Sequence, residues 1–594
     1  MFEVLHRSAM GRIGRWTVDG RVLDTPAIAF VDTERFPAPP WAEAVATRRE
    51  PPAGKFAFAF AGSFFEPAET HGGLPLPPRS GLSPSVSSID LPHSPVKGPI
   101  AVVSSPGQLK PDASAETIVL EGGPVFLERA KDFVRTVVGF RETFGPARLL
   151  FVPGIAAPEI VAVLVYAGVD VIDSSRVAME TALGFYETPD GAVPRESLQE
   201  LPCRCPSCER GGPLLDHNYH ALWQELATAR MAIRQGSLRE LAERRSVNTP
   251  WATAVLRELD LRHHEFQERW FPVSDGLVRA YSPQSLSRPD VVRFRRFVTI
   301  EYEKPPSARI LLFLPCSARK PYAESKTHRR FRRAVEAAGN ANAVHEVIVT
   351  SPLGLVPREL ERSYPAAHYD IPVTGDWSHD ETAMLSEMLT SYLARNRYDA
   401  VIAHVATEAP FVAAAVPGAE FTSGNHPASD ESLATLTAAL RKVLEGLPRV
   451  RSFVGRWEDV ASLARFQFGP VGAAMMDGTS LRGRWPFARL IRGGTQLGAI
   501  AERGLIALSL AGGEVLREKG AFCVEIEDFH PKGNIFAIGV VRASPEIRVG
   551  SEVAVVHGDQ VRAIGMARMN AREMVDFQRG EAVRVRHRAP ASKP

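Results

Sequence analysis

The sequence predicts a multidomain α/β protein, on three observations. Its 594 residues, at ~150 per domain, suggest about four domains. From Ile100 onward, strand-like and helix-like runs alternate, which implies parallel strands joined by crossover helices. Beyond about residue 515 the chain is dense in short alternating β runs. Composition agrees, since 45% hydrophobic and 23% charged residues exclude global disorder. Seventy Lys+Arg against sixty-eight Asp+Glu leave a net charge of +2, so any nucleic-acid surface has to come from local basic patches. The start, Met1-Phe2-Glu3-Val4-Leu5-His6-Arg7, lacks a secretory pattern, and no apolar run reaches the ~18–20 residues of a membrane span. Phe56–Phe65 is too short and Glu159–Ile172 carries Asp170, so a cytoplasmic protein is expected.

The elements follow in order. Ile13–Val18 and Ala27–Val31 alternate as strands. Residues from about 66 to 99 are rich in Pro, Gly and Ser and read as a loop. Ala101–Val103, Leu149–Val152 and Val169–Ile172 are short apolar strands, interleaved with helical spacing over Leu127–Phe144 and Pro158–Ala167. Residues 219–270 are mostly helical, with Leu222, Leu226, Ala229 and Ile233 at helical intervals. A second, Rossmann-like block comprises strand Ile310–Leu314, helix Arg330–Ala338, strand Val344–Thr350, helix Glu381–Leu393 and strand Ala400–Ala403. A helix over Leu433–Leu447 opens a third block, and Ala521–Ile526, Ile535–Val541, Glu552–Val556 and Gln560–Met566 are strands of the last. The expected domains are 1–275, 290–425, 430–512 and 513–590.

Five cysteines in this length exclude a disulfide scaffold, and three of them form Cys203-Arg204-Cys205-Pro206-Ser207-Cys208. Thiolates so close converge on one tetrahedral ion if the chain turns sharply, and Pro206 with Ser207 supplies the turn. His217 is the preferred fourth ligand over His220. Zinc suits such a set, and four protein ligands leave no open position, so the site is structural. The bland alternative is a chance cluster of small apolar side chains, which the polar, turn-forming flanks oppose.

Cys316 stands just after strand Ile310–Leu314, in Pro315-Cys316-Ser317-Ala318-Arg319-Lys320-Pro321-Tyr322, with Ser325 and His328 following before a basic helix. Ligands bind outside the carboxyl ends of strands in α/β sheets, where this loop must lie. A thiol near Lys320, His328 and a helix N-terminus is suited to attack. Equally, Lys320 suits a phosphate, with Ser325 as helix cap or ligand donor, and the bland reading is a tight loop with a core cysteine. Ser351–Glu359 and Tyr369–Trp377 follow later elements and are candidates to wall the same pocket. Cys523 sits in a β run as a core residue. Arg329-Arg330-Phe331-Arg332-Arg333, the four arginines from Arg288 to Arg296 around Phe294, and Arg584, Arg586 and Arg588 on an alternating run suit phosphates and bases, or a solvated face.

Pro315-Cys316-x3-Lys320-Pro321-Tyr322-x2-Ser325-x2-His328 resembles the signature motif of the archaeosine synthase family, alpha-subunit type, archaeal paralogues of tRNA-guanine transglycosylase. The resemblance covers nearly the whole chain. Arg148–Gly154, Pro158-Glu159 and Gly168–Asp173 resemble later strands of the transglycosylase barrel, and Cys203, Cys205, Cys208 and His217 match its zinc ligands. Lys532–Val540 and Ile547–Val553 resemble a PUA domain, a small RNA-binding β barrel. The implied architecture is a degenerate TIM-barrel-like domain with a zinc site, the second α/β domain, a small α+β domain and the PUA barrel. Asp173 resembles the transglycosylase nucleophile. The family's Asp-Ser-Gly-Gly segment survives at best as Ser104-Ser105-Pro106-Gly107, and only Gly122-Gly123 resembles its base-pocket loop, so the base-exchange site is degraded.

The resemblance implies that tRNA bearing 7-cyano-7-deazaguanine at position 15 of the D-arm receives an amine nitrogen on its nitrile. Free lysine is the favoured donor, with glutamine or ammonia the older description, and a radical-SAM partner then splits the adduct. It also implies a homodimer. Cys316, Lys320, Tyr322, Ser325 and His328 are the implied catalytic residues, with Cys316 either forming a thioimidate or orienting substrate while Lys320, Tyr322 and His328 move protons. The rival functions are an active transglycosylase working through Asp173, and a non-catalytic PUA-type tRNA-binding protein.

Overall fold

The computed structural model describes residues 2–590 apart from 19, 48–53, 62–69, 72–73, 76–84, 92–93, 97–99, 104–116, 121–122, 373, 425 and 485. Ser104-Ser105-Pro106-Gly107, Gly122 and most of the proline-rich stretch from 66 to 99 therefore lie outside the described residues. The chain divides into two compact units. One comprises Met1–Phe271 with Phe536–Ile538 and Arg572–Glu581, and the other comprises the remainder.

The first unit opens on an antiparallel sheet of Phe2–Ser8, Gly11–Val18 and Arg21–Thr25. Its main sheet then runs, in spatial order, Phe56–Ala61, Ala44–Thr47, Ala27–Asp32, Val171–Asp173, Leu149–Val152, Thr117–Leu120 and Ile100–Val103, all parallel. Ser85–Leu91 and Ser94–Val96 add antiparallel at the Phe56–Ala61 edge, so the hydrogen-bonded order among the described residues is open rather than ringed. Helix Pro158–Tyr166 is buried along its whole length, which is why its sequence is an unbroken apolar run with Glu159 as its one acid. Gly168, at φ +95°, then turns the chain toward the strand in a conformation that a side chain disfavours.

Asp170, the charge that argued against a membrane span, is fully buried and anchors this turn. Arg12 reaches both of its oxygens at 2.8 Å, Arg141 donates at 2.9 Å and the Leu150 N–H donates at 2.9 Å. Burial raises its carboxyl, but the two guanidiniums outweigh burial and hold it below the usual range. Helices Ala130–Phe144, Leu214–Arg234, Leu238–Ser246 and Pro250–Arg262 supply most of the remaining core, through Phe133, Tyr219, Leu222 and Leu256.

In the second unit a five-stranded sheet runs Gly354–Pro357, Val344–Thr350, Ile310–Pro315, Ala400–Ala403 and Glu420–Phe421. All pairings are parallel except that of Gly354–Pro357 at the edge. The chain leaves Ile310–Pro315 to one side, toward Val344–Thr350, and returns on the other as Ala400–Ala403, so a topological switch point lies beside the first strand. Helix Asp430–Leu444, read from sequence as opening the next block, packs Leu436, Leu440 and Leu444 with Ile310, Leu312 and Phe331 in one core. Four antiparallel strands between Ser480 and Leu508 follow. The C-terminal sheet orders Ile535–Phe536, Glu581–Arg588, Gln560–Ala567, Glu552–His557, Cys523–Ile526 and Val540–Ala543. The run expected to be one strand over Ile535–Val541 is broken by a 3-10 turn at Ala537–Gly539. No helix among the described residues is long and apolar enough to cross a membrane.

Candidate functional site

The three clustered cysteines and His217 come together in the first unit, with their ligand atoms all within 4.8 Å of one another. Pro206 starts the short helix Pro206–Arg210 and brings Cys208 back over Cys203 and Cys205. His217, in the first turn of helix Leu214–Arg234, sets its Nδ1 3.3 Å from Cys208 Sγ and 3.5 Å from Cys205 Sγ. Its Nε2 faces the Glu187 carbonyl at 2.9 Å, and its ring stacks on Tyr186 at 3.7 Å, so the imidazole is fixed with Nδ1 toward the thiols. Asn218 clamps the hairpin that carries that carbonyl, accepting from the Glu187 N–H and donating to the Phe185 carbonyl, both at 2.9 Å. His220 stacks instead on Trp41. The donor set fits a tetrahedral metal ion.

Asp173 ends the strand Val171–Asp173 and is fully buried. The Gly154 N–H donates to it at 2.7 Å, and burial pushes its carboxyl up to about 6 against the hydrogen bonds of Gly154 and Ser175.

The remaining sequence candidates gather in the second unit. Pro315 ends its strand, and Cys316 opens onto a cavity of about 580 Å³ that also touches Thr327, Ser351, Trp377, Glu408 and His426. The segment Tyr369–Trp377 walls this pocket through Ile371, Pro372, Asp376 and Trp377, whereas of Ser351–Glu359 only Ser351 reaches it, because Gly354–Pro357 turns back as the sheet's edge strand. Cys316 is mostly buried. Burial first, then the Glu408 carboxyl, push its thiol up, opposed by the Thr350 hydroxyl and the Lys320 ammonium. Lys320 lies 3.9 Å over the Tyr369 ring, and burial lowers its ammonium. Tyr322 and Tyr369 share a 2.5 Å hydroxyl contact, and Tyr369 shares another of 2.5 Å with Thr350. A chain of hydroxyls thus runs from Tyr322 through Tyr369 and Thr350 toward Cys316.

Ser325 caps helix Lys326–Ala338, its hydroxyl accepting from the His328 N–H at 3.1 Å. His328 is buried with both ring nitrogens engaged. Its Nε2 bonds the Pro315 carbonyl at 3.0 Å, and its Nδ1 lies 2.9 Å from Arg358. Arg358 is itself tied to Glu346 and Glu361. Burial and that guanidinium depress the imidazole to about 2, so it is neutral and holds the loop carbonyl next to Cys316.

Glu408, Thr350 and Tyr369 are the site residues that motif reading missed as individual groups. Glu408 was within reach of a positional argument, because it follows the strand Ala400–Ala403 at its carboxyl end. Of the basic patch from Arg288 to Arg296, three arginines are spent internally, with Arg288 paired to Asp290, Arg293 donating to the Pro272 carbonyl and Arg295 to the carbonyls of Leu286 and Pro352, while Arg296 is exposed. In the other patch Phe331 is buried, and Arg329, Arg332 and Arg333 are exposed. The C-terminal strand shifts register between Val585 and His587, where Arg586 pairs with Glu552, so its arginines do not share one uninterrupted register.

A family model described as "Domain of unknown function (DUF5591)" matches residues 291–440, and the PUA domain model matches 526–589. These matches define a multidomain α/β protein that ends in a PUA domain. Archaeosine synthase subunit alpha of Methanosarcina acetivorans is 37% identical over 508 residues, covering 80% of either chain. Archaeosine synthase of Haloferax volcanii is 35% identical, covering 86% of this chain and 87% of that one. The tRNA-guanine(15) transglycosylase of Methanothermobacter thermautotrophicus is 25% identical, covering 77% and 69%. The chain belongs to the archaeosine synthase family.

Proposed function

We propose that this protein adds an amine nitrogen, from free lysine, to the nitrile of 7-cyano-7-deazaguanine at position 15 of tRNA, and that a radical-SAM enzyme then splits the adduct to archaeosine. The observation that carries the reading is the Cys316 cavity at the sheet's switch point. Lys320 and the tyrosine hydroxyl chain are not on its lining but reach it through Cys316, beside which Lys320 and Thr350 lie. Family membership and the PUA match support tRNA as the macromolecular substrate.

A nitrile is a weak electrophile, so its nitrogen has to be protonated as the carbon is attacked. Lys320, whose ammonium burial makes a better acid, supplies that proton. Cys316 orients the substrate as a thiol. Burial and Glu408 both oppose its ionisation, and His328 is committed to Pro315 and Arg358, which supports direct amine attack over a thioimidate. Zinc held by Cys203, Cys205, Cys208 and His217 is structural, since four protein ligands leave no coordination position for substrate. Asp173 takes no part.

The test is incubation of purified protein with nitrile-bearing tRNA, with and without lysine, followed by nucleoside mass spectrometry. A lysine adduct in wild type that is lost in Lys320→Ala and reduced in Cys316→Ala is the expected outcome. Mass spectrometry of denatured, trapped enzyme should find no tRNA on Cys316, and a covalent adduct there would restore the thioimidate route. Unmodified nitrile with exchange of labelled base into tRNA would return the chemistry to Asp173.

A further inference from the structure

We propose that Glu408 is a second catalytic residue of the Cys316 cavity: its carboxylate binds the incoming nucleophile as a primary ammonium ion and takes the proton that this nitrogen must lose before it attacks. The proposal rests on the reading of the reaction given above.

Position comes first. The chain leaves Ile310–Pro315 toward one side of the sheet and returns as Ala400–Ala403 on the other, so the loops after these two adjacent parallel strands separate and leave a crevice between them. Cys316 is on the first loop and Glu408 on the second, at the start of helix Ala409–Ala415, and both line the one cavity. A nitrile brought to Cys316 therefore meets Glu408 from across the crevice.

Charge comes second. Glu408 is only 5% exposed. Its support is its own backbone N–H, the Ala406 N–H at 3.2 Å and the Thr407 hydroxyl, and no ion pair to it is formed among the described residues. A buried carboxylate without a cation is costly, and the cost is relieved either by protonation or by a cationic ligand. The other acids at the cavity, Asp376 and Glu381, add to the negative charge. Glu381 is already occupied by the Ser351 hydroxyl at 2.5 Å and by the cap of helix His379–Arg395. Against these three acids the lining sets one basic side chain, His426, so the cavity disfavours an anionic nucleophile and selects a cation. Burial raises the Glu408 carboxyl above its ordinary range, against the hydrogen bonds it accepts, which favours its taking a proton.

The chemistry closes on itself. An amine in water near neutrality is mostly ammonium, with its lone pair occupied by a proton. Glu408 takes one proton, the freed pair forms the C–N bond to the nitrile carbon, and one π pair of the nitrile moves onto its nitrogen. That nitrogen is protonated from Lys320, the attacking nitrogen loses its surplus proton back to Lys320, and Glu408 delivers its own. The three ammonium hydrogens end in a substituted amidinium, so no net proton is gained or lost. Two groups of opposite sign, on the two sides of the switch point, divide the work.

The test uses full-length Glu408→Gln and Glu408→Asp with nitrile-bearing tRNA, with L-lysine and ammonium chloride as separate nucleophiles. Rates are read by nucleoside mass spectrometry and tRNA affinity by filter binding. Loss of a charge-assisted contact should raise KM for the amine about 10- to 100-fold in Glu408→Gln, with kcat also reduced. Its rate should climb with pH as free amine accumulates, while tRNA affinity stays within about twofold. Glu408→Asp should restore part of the loss, and serves alone if the glutamine variant does not fold. The relative response of the lysine and ammonium arms identifies which amine the cavity takes. An unchanged amine KM and pH profile in a folded variant overturns the proposal alone, as does a loss confined to tRNA binding. Absence of any adduct from wild type overturns the reading of the reaction, and the proposal with it.

Discussion

Two buried ionisable residues differ in what acid does to them. Asp173 is held at about 6, above its ordinary value near 3.8, so the folded state binds the extra proton between these limits. Stability is present below pH 3.8 and is lost as pH rises through 6, a cost of about 3 kcal/mol at neutral pH. Asp173→Asn keeps an acceptor for Gly154 and should raise Tm at pH 8, with the gain fading below pH 5 in a calorimetric series. It should leave nitrile addition intact. His328 has the opposite dependence. Its folded state stays neutral down to about 2, so its contribution is present above 6.5 and lost as pH falls below that. His328→Ala should flatten the fall in Tm between pH 6.5 and 4 while lowering adduct formation, because the Pro315 carbonyl loses its tether.

At the scale of elements, the short β hairpin at 185–194, the helix Pro206–Arg210 and the N-terminus of helix Leu214–Arg234 have little apolar surface of their own, and the Cys–His cluster ties the first turns together. Replacement of Cys205 by Ser, or chelation, should release about one zinc per chain by elemental analysis and lower Tm by several degrees. Elements like Ile310–Pro315 and Leu149–Val152 were legible because strands buried on both faces read as unbroken apolar runs. Helix Lys326–Ala338 starts four residues before its apolar spacing, because its first turn is defined by a serine cap rather than by packing. The cysteine cluster is local and was readable in one glance. His328's restraint was not, since its partner Arg358 is 30 residues away. Glu408 lies 92 residues from Cys316 in a segment with no motif, and only the strand order of the sheet brings it to the cavity.

For the molecule as a whole, a net charge of +2 makes the distribution of arginines more important than their number. Arg329 is fixed by the Glu324 and Ser325 carbonyls, both at 3.3 Å, two residues along the helix from Thr327 at the cavity wall. Arg333 is exposed one turn further along. Replacing both with Ala should weaken tRNA binding uniformly across tRNA sequences and reduce the slope of log K against log salt by roughly 1–2, measured by filter binding from low to physiological salt.

The bond from His328 to the Pro315 carbonyl closes a loop of chain whose two ends are 13 residues apart. That closure makes the Cys316 segment a ruler. Away from Lys320, Tyr322 and Ser325, side chains inside it can be exchanged, but adding or removing a single residue between Cys316 and His328 would put the ring out of reach of the carbonyl. Length, more than composition, is what this segment has to inherit. An engineered relative that accepts a different amine should therefore be sought by changing residues around the ring, with the count of residues within it left alone.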